Sequence, residues 1–324
     1  MNRLKFVARR LGQGLAALLL IVVVNFFLIR AAPGDPAAVM AGEAGAGDAK
    51  FVAQLREQFG LDKPVLVQLG LYLENVVRLD LGQSYRQQRP VASLIAERVP
   101  ATLLLTGTAF VLSLVMGVAL GAWSSSRAGT WVDSLITTVA LLFYATPLFW
   151  VALMAVLVFS ISLDWLPGFG LATVGGQFSA LGQALDVAKH LVLPAVTLAL
   201  FYMAIYARMT RTSMLEVARM DFVKTARAKG VPRGRIWRVH VLRNALLPIV
   251  TLAGIQVGQM VGGAILTETV FAWPGIGRLM FEALLQRDYN LLLGVFLFTA
   301  AMVVLFNIVT DVVYTIVDPR IELT

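Results

Sequence analysis

The sequence predicts an all-α integral membrane protein of six transmembrane helices. Two observations carry that prediction. Of 324 residues, 58% are hydrophobic and 14% charged, whereas a globular domain is about half apolar and a quarter charged. Six apolar runs also approach or exceed the roughly 20 residues that cross a bilayer as a helix. None alternates with the period of two that a barrel needs, and a helix satisfies its backbone internally, as hydrocarbon demands.

The first run is Leu11 to Ile29. Its basic start (Arg3, Lys5, Arg9, Arg10) also fits a signal peptide. Its 19 residues, and the absence of a small-x-small site near Phe26 to Arg30, favour a retained helix. The other runs are Thr102 to Trp123, Ser134 to Ile161 with a kink at Pro147, Leu191 to Ala207, Leu246 to Thr267 and Leu291 to Thr310. Pro194 falls near the start of the fourth, and Pro248 in the first turn of the fifth.

Positive charge sets direction. Residues 208 to 243 carry ten Lys or Arg against Glu216 and Asp221. In a chain this apolar, such a cluster reads as a cytoplasmic loop ahead of a nucleic-acid site. With the N-terminus inside, six crossings put that cluster, Arg127 and Arg320 all on the inner side, with both termini cytoplasmic. The expected division is a cytoplasmic start and first helix (1–30), an external helical segment (31–100), and a five-helix core (101–324) carrying the loop 208–245.

In the external segment, Pro33-Gly34-Asp35-Pro36 should end the first helix. Phe51 to Phe59 and Val65 to Leu79 read as amphipathic helices, serving as a cap or as a docking surface. The second external loop, Leu163 to Lys189, is Gly-rich and carries Trp165 and Phe169. In the third, the Pro-Gly turn of Phe271 to Gly277 precedes a short helix from Arg278 to Gln286. Inside, Asp221 starts a short helix that ends at Lys229 and is broken by Gly230-Val231-Pro232, and a second short helix, Arg235 to Ala245, follows. Together they form either a rigid knob for a partner's groove or a solvated basic loop.

The run from Asp221 through Phe222, Val223, Lys224, Thr225, Ala226, Arg227, Ala228 and Lys229 to Gly230, followed by Arg243-Asn244-Ala245-Leu246-Leu247-Pro248, resembles the coupling loop of ABC importer permeases of the dipeptide, oligopeptide and nickel subfamily. Further stretches are similar to the same subfamily: Pro33 to Pro36, Phe59 to Pro64, Leu81 to Ser84, Glu268 to Gly277, and Asp318-Pro319-Arg320. Lys224-Thr225-Ala226 stands where importers in general have Glu-Ala-Ala, and Leu79 stands where a glycine before Asp80 is expected. The resemblance implies a type I ABC importer permease fold in a bacterial inner membrane. It implies a second homologous permease subunit, two ATP-binding subunits carrying ATP and Mg, and an external solute-binding protein. It also implies that Asp221, Phe222 and Lys224 to Gly230 form a coupling helix. Peptides head the implied solutes; nickel, glutathione, opines and sugars stay open.

The residues themselves limit the rivals. No Gly-Lys pair occurs, and Lys224-Thr225 follows Val223, so the chain lacks a P-loop. No cofactor site is expected. Cysteine is absent and His190 and His240 are far apart, which argues against a metal centre. No catalytic constellation converges, so an enzyme is not expected. The alternative is an ion-coupled secondary transporter of a small solute, yet the span centres lack ionisable residues. For the solute path the candidates are Tyr144, Gln256, Gln259, Glu268 and Trp273. Gln256, Gln259 and Glu268 are expected on one face of the fifth span, lining the path or bonding neighbouring helices.

Overall fold

The computed structural model describes residues 3–31, 49–58, 62–84 and 86–317. Helices dominate: among the described residues the sole extended pairing is an isolated bridge between Gln83 and Pro90. Helix α1 is Arg3–Ala31, α2 is Ala49–Gln58 and α3 is Val65–Val77. The expected breakers Pro33 to Pro36 lie outside the described residues. Helix α4, Val91–Ser126, contains Pro100 and begins about a dozen residues ahead of the expected span.

The third apolar run is broken rather than kinked. Helix α5, Trp131–Ala145, and helix α6, Leu148–Ala155, which continues as the π turn Val156–Ser162, meet at 102°. The cause is local. A residue before proline avoids the helical region, and Thr146 is extended at φ −82°, ψ 135°. Among the described residues, five helices are therefore long and apolar enough to cross a membrane singly, and there are six spans if the bent pair counts as one.

Helix α7, Ala180–Val217, absorbs the last ten residues of the expected second external loop. Ser179 caps it, its Oγ accepting from the Gly182 amide at 3.3 Å. Helix α8 is Asp221–Ala228. Helix α9 is Arg243–Val270, preceded without a break by Arg233–Arg235 and the π turn Ile236–Leu242. The expected second short helix of the inner loop is thus the start of the fifth span, because Pro248 is accommodated inside α9 rather than ending a helix. Helices α10, Ile276–Leu285, and α11, Tyr289–Val317, complete the described residues.

Two compact units result. The first takes residues 1–100 and 278–308, so most of α11 belongs with α1 to α3. Within it, Asp288 caps α11: Oδ1 accepts from the Leu291 amide at 3.2 Å, and Oδ2 accepts from Ser84 Oγ at 2.5 Å. Phe26 of α1 stacks on Tyr72 of α3, with centroids 5.7 Å apart.

The second unit, residues 101–277 with the end of α11 from Val309, is organised on α7. That helix packs against α5, α6 and α9. Its Leu198 and Tyr206 join Leu105, Ile249, Met260 and Trp273 in one buried cluster. Helix α4 crosses α7 at Gly117 and Gly121. A Cβ on Gly117 would lie 2.9 Å from the Met203 carbonyl, and one on Gly121 2.6 Å from Thr210 Cβ. Small residues four apart let two backbones approach, the packing device of membrane bundles.

Candidate coupling site

Helix α8 has eight residues, too few to be stable alone. Tertiary contacts hold it. Val223 and Ala226, three apart on one face, are buried against Met214 and Val217 of α7 and against Ile236, Val241 and Ala245 at the α9 entry. The π turn Ile236–Leu242 widens the backbone there, a distortion frequent at functional sites. Val223 and Val241 are fully buried, so the apolar seat of the knob is dry.

The C-terminus of α8 closes as a Schellman turn. The Val231 amide donates to the Ala226 carbonyl at 3.1 Å, and the Gly230 amide to the Arg227 carbonyl at 3.0 Å. Gly230 occupies the left-handed position at φ +77°. No heavy atom lies within 4 Å of where its Cβ would be, so conformation rather than crowding requires glycine. At the other end Lys224 Nζ donates to Asp221 Oδ1 at 2.8 Å, and Thr225 Oγ1 to the Asp221 carbonyl at 3.0 Å.

The outward face is chemically mixed. Phe222 is 42% exposed and Met220 49%. Lys224, Arg227 and Lys229 are exposed beside them, as is Ala228. Exposed aromatic and thioether groups ringed by cations make a surface able to enter an apolar groove with an acidic rim.

An ion pair ties α7, which carries Met214 of the seat, to α5. Arg211 donates from Nε to Asp133 Oδ1 at 2.7 Å and from Nη2 to Oδ2 at 2.8 Å. Asp133 also accepts from Ser124 Oγ at 2.5 Å and from the Gly129 amide at 3.0 Å. One buried carboxylate therefore joins the end of α4, the following turn, α5 and α7.

The five path candidates do not converge. Tyr144 is half-exposed and stacks on Phe201 of α7 at 5.4 Å. Gln259 is exposed, whereas Gln256 is buried with no partner for Oε1 among the described residues. Glu268 and Trp273 are fully buried. The expected single face fails on helical arithmetic: at 3.6 residues per turn, Gln259 and Glu268 point about half a turn apart. Trp273 Nε1 donates to the Ala101 carbonyl at 2.8 Å, which makes it a packing anchor of the turn after α9. Sequence reasoning missed Gly117, Gly121, Asp133 and Arg211. The Gly-x3-Gly spacing was a usable signal for the first two; the ion pair, 78 residues apart, had none.

Residues 109–323 match the family described as binding-protein-dependent transport system inner membrane component. Residues 3–106 match the N-terminal component of the same systems. The chain belongs to this family.

Its relatives agree over almost the whole length. The chain is 40% identical to the dipeptide transport system permease protein DppB of Alkalihalophilus pseudofirmus, covering 98% of this chain and 99% of that one. It is 38% identical to the di/tripeptide transport system permease protein DppB of Pseudomonas aeruginosa, over 98% and 99%. Among solved structures, an inward-facing MetNI methionine ABC transporter matches with a TM-score of 0.57 at 18% identity, covering 69% of this chain and 96% of that chain. That likeness establishes the fold, a type I ABC importer permease. The permease is a multi-pass inner-membrane transport subunit.

Proposed function

We propose that this permease forms half of the pore of an ATP-driven peptide importer, with di- or oligopeptides as solute. The observation that carries the reading is the closed knob: a short helix on a dry apolar seat, ended by Gly230 and presenting Phe222 among cations. The names of the near-full-length relatives support peptides as solute. A second homologous permease completes the pore, two ATPase subunits bind ATP and Mg, and an external binding protein delivers the peptide.

In this mechanism ATP closes the ATPase pair. The closing subunits move α8 as a rigid body, because Val223 and Ala226 lock it to the seat. Movement passes through Met214 and Val217 to α7, and through Ile236 and Val241 to α9. These helices carry the solute path, to which we assign Tyr144 and Gln259 for their exposure. Two global states then alternate access. The knob, loop 208–245 and both termini face the cytoplasm, and residues 31–100 face outward.

The test is reconstitution in lipid vesicles. With both permeases, the ATPases and the binding protein present, labelled dipeptide should accumulate only with ATP. Uptake by this chain alone, driven by an ion gradient, would transfer the assignment to an ion-coupled transporter.

A further inference from the structure

The apolar seat of the knob shares Met214 and Leu242 with a cavity of about 520 Å³, whose charged wall has no place in the coupling mechanism. Its other walls include Arg127, Arg233 and Arg238 with Trp123 and Trp237, and no acidic residue. The guanidinium groups of Arg127 and Arg238 have no hydrogen-bond or ion-pair partner among the described residues. Arg233 uses Nη2 on the Ser126 carbonyl at 3.4 Å. Three guanidinium groups thus surround one concavity with no countercharge.

We propose that this cavity binds the phosphodiester headgroup of an anionic phospholipid from the leaflet on the knob's side of the membrane. The position fits. Helix α4 ends at Ser126, so Trp123 and Arg127 stand where an apolar helix meets water. Tryptophan and arginine concentrate at that level, the ring among headgroups and the cation reaching outward. Guanidinium forks match phosphate oxygens in geometry and charge. The volume lies within the range of small-ligand sites, about 300–1,000 Å³. The walls also discriminate between sources of phosphate. Trp123 is 53% exposed and Leu242 gives an apolar floor. A diacyl lipid covers both with hydrocarbon, and a soluble phosphate ester leaves them wet. Occupancy would brace the end of α4 against the α9 entry, beside the seat. The inference stands on the cavity alone and does not depend on the solute or on the coupling role.

The experiment uses the purified full-length chain in detergent micelles and counts retained lipids by native mass spectrometry. Phosphatidylglycerol should be retained in preference to phosphatidylcholine. The Arg127→Gln/Arg238→Gln double variant should weaken retention roughly twentyfold, at about fivefold per removed surface cation. Arg235→Gln, an exposed cation that does not line the cavity, should change it little. Equal retention of the two lipids would overturn the proposal, as would an equal loss in Arg235→Gln. Glycerol 3-phosphate displacing phosphatidylglycerol at matched concentration would overturn the lipid source. If the double variant misfolds, the lipid preference of the unaltered chain and its reduction by Trp123→Leu decide the question.

Discussion

Thr102 and Glu268, 166 positions apart, are joined side chain to side chain at 2.7 Å. The Thr102 hydroxyl donates to Glu268 Oε1 and accepts from the Ile276 amide at 2.8 Å. One hydroxyl therefore fastens the N-terminal half of α4 to the end of α9 and to the turn that follows. A Cβ on Gly275 would overlap the same carboxylate, and one on Gly277 would lie 2.6 Å from Ile265 Cα. A fully buried carboxylate is costly unless hydrogen-bonded.

Thr102→Val keeps the shape and removes both bonds. It should lower stability by roughly 2 kcal/mol, from about 1 kcal/mol for each of the two bonds lost. Thr102→Ser should recover most of the loss. Thermal unfolding of the purified permease in one detergent reads the difference, and equal melting of Val and Ser variants would refute it.

The Asp133–Arg211 pair predicts a larger effect. Arg211→Met leaves a buried carboxylate without its cation; because the arginine side chain is 32% exposed, the loss should lie near the low end of the about 3–5 kcal/mol that breaking a buried pair costs. Adding Asp133→Asn should restore much of the loss, because the uncompensated charge is then gone. A double variant no better than Arg211→Met would show that the pair does not act as a unit.

Two glycine-dependent crossings carry their own control. Gly121→Leu drives a side chain into the Ala207 carbonyl and the Thr210 side chain of α7. Overpacking of this kind costs about 1–3 kcal/mol. Gly107→Ala lies in the same helix with nothing within 4 Å of its Cβ. It should be neutral or stabilise by up to about 1 kcal/mol. Fluorescence-detected size-exclusion after heating compares the two, and the order of stability must be Gly107→Ala above Gly121→Leu.

Leu79 closes α3 as Gly230 closes α8. The Asp80 amide donates to the Asn75 carbonyl at 2.9 Å and the Leu79 amide to the Val76 carbonyl at 3.0 Å, with Leu79 at φ +57°. Its side chain is 83% exposed, so it offers little packing in return for the strained backbone. Leu79→Gly should stabilise by about 1 kcal/mol, the left-handed penalty of a side chain. Lower thermal stability in Leu79→Gly would contradict the strain.

These elements show what could be read from residue order. Apolar runs located the five single spans and the bent pair, because length and hydropathy are local properties. Gly230-Val231-Pro232 located the end of the knob for the same reason. The break at Thr146-Pro147 was read as a kink because proline permits either, and neighbouring helices decide which. The start of α9 was read as a separate helix because a π turn carries no periodic signature. Asp133 with Arg211, and Thr102 with Glu268, could not be paired from order alone: each contact is made by tertiary packing.

The central claim is that α8 meets the ATPase. Phe222, on the exposed face of that helix, gives the most direct test: it is replaced by a photo-crosslinking phenylalanine analogue and the assembled transporter is irradiated in inside-out vesicles. The account predicts a light-dependent adduct with the ATPase subunit that disappears when the ATPases are omitted. Adducts with the external binding protein, or labelling of residue 222 from the outer face, would contradict it.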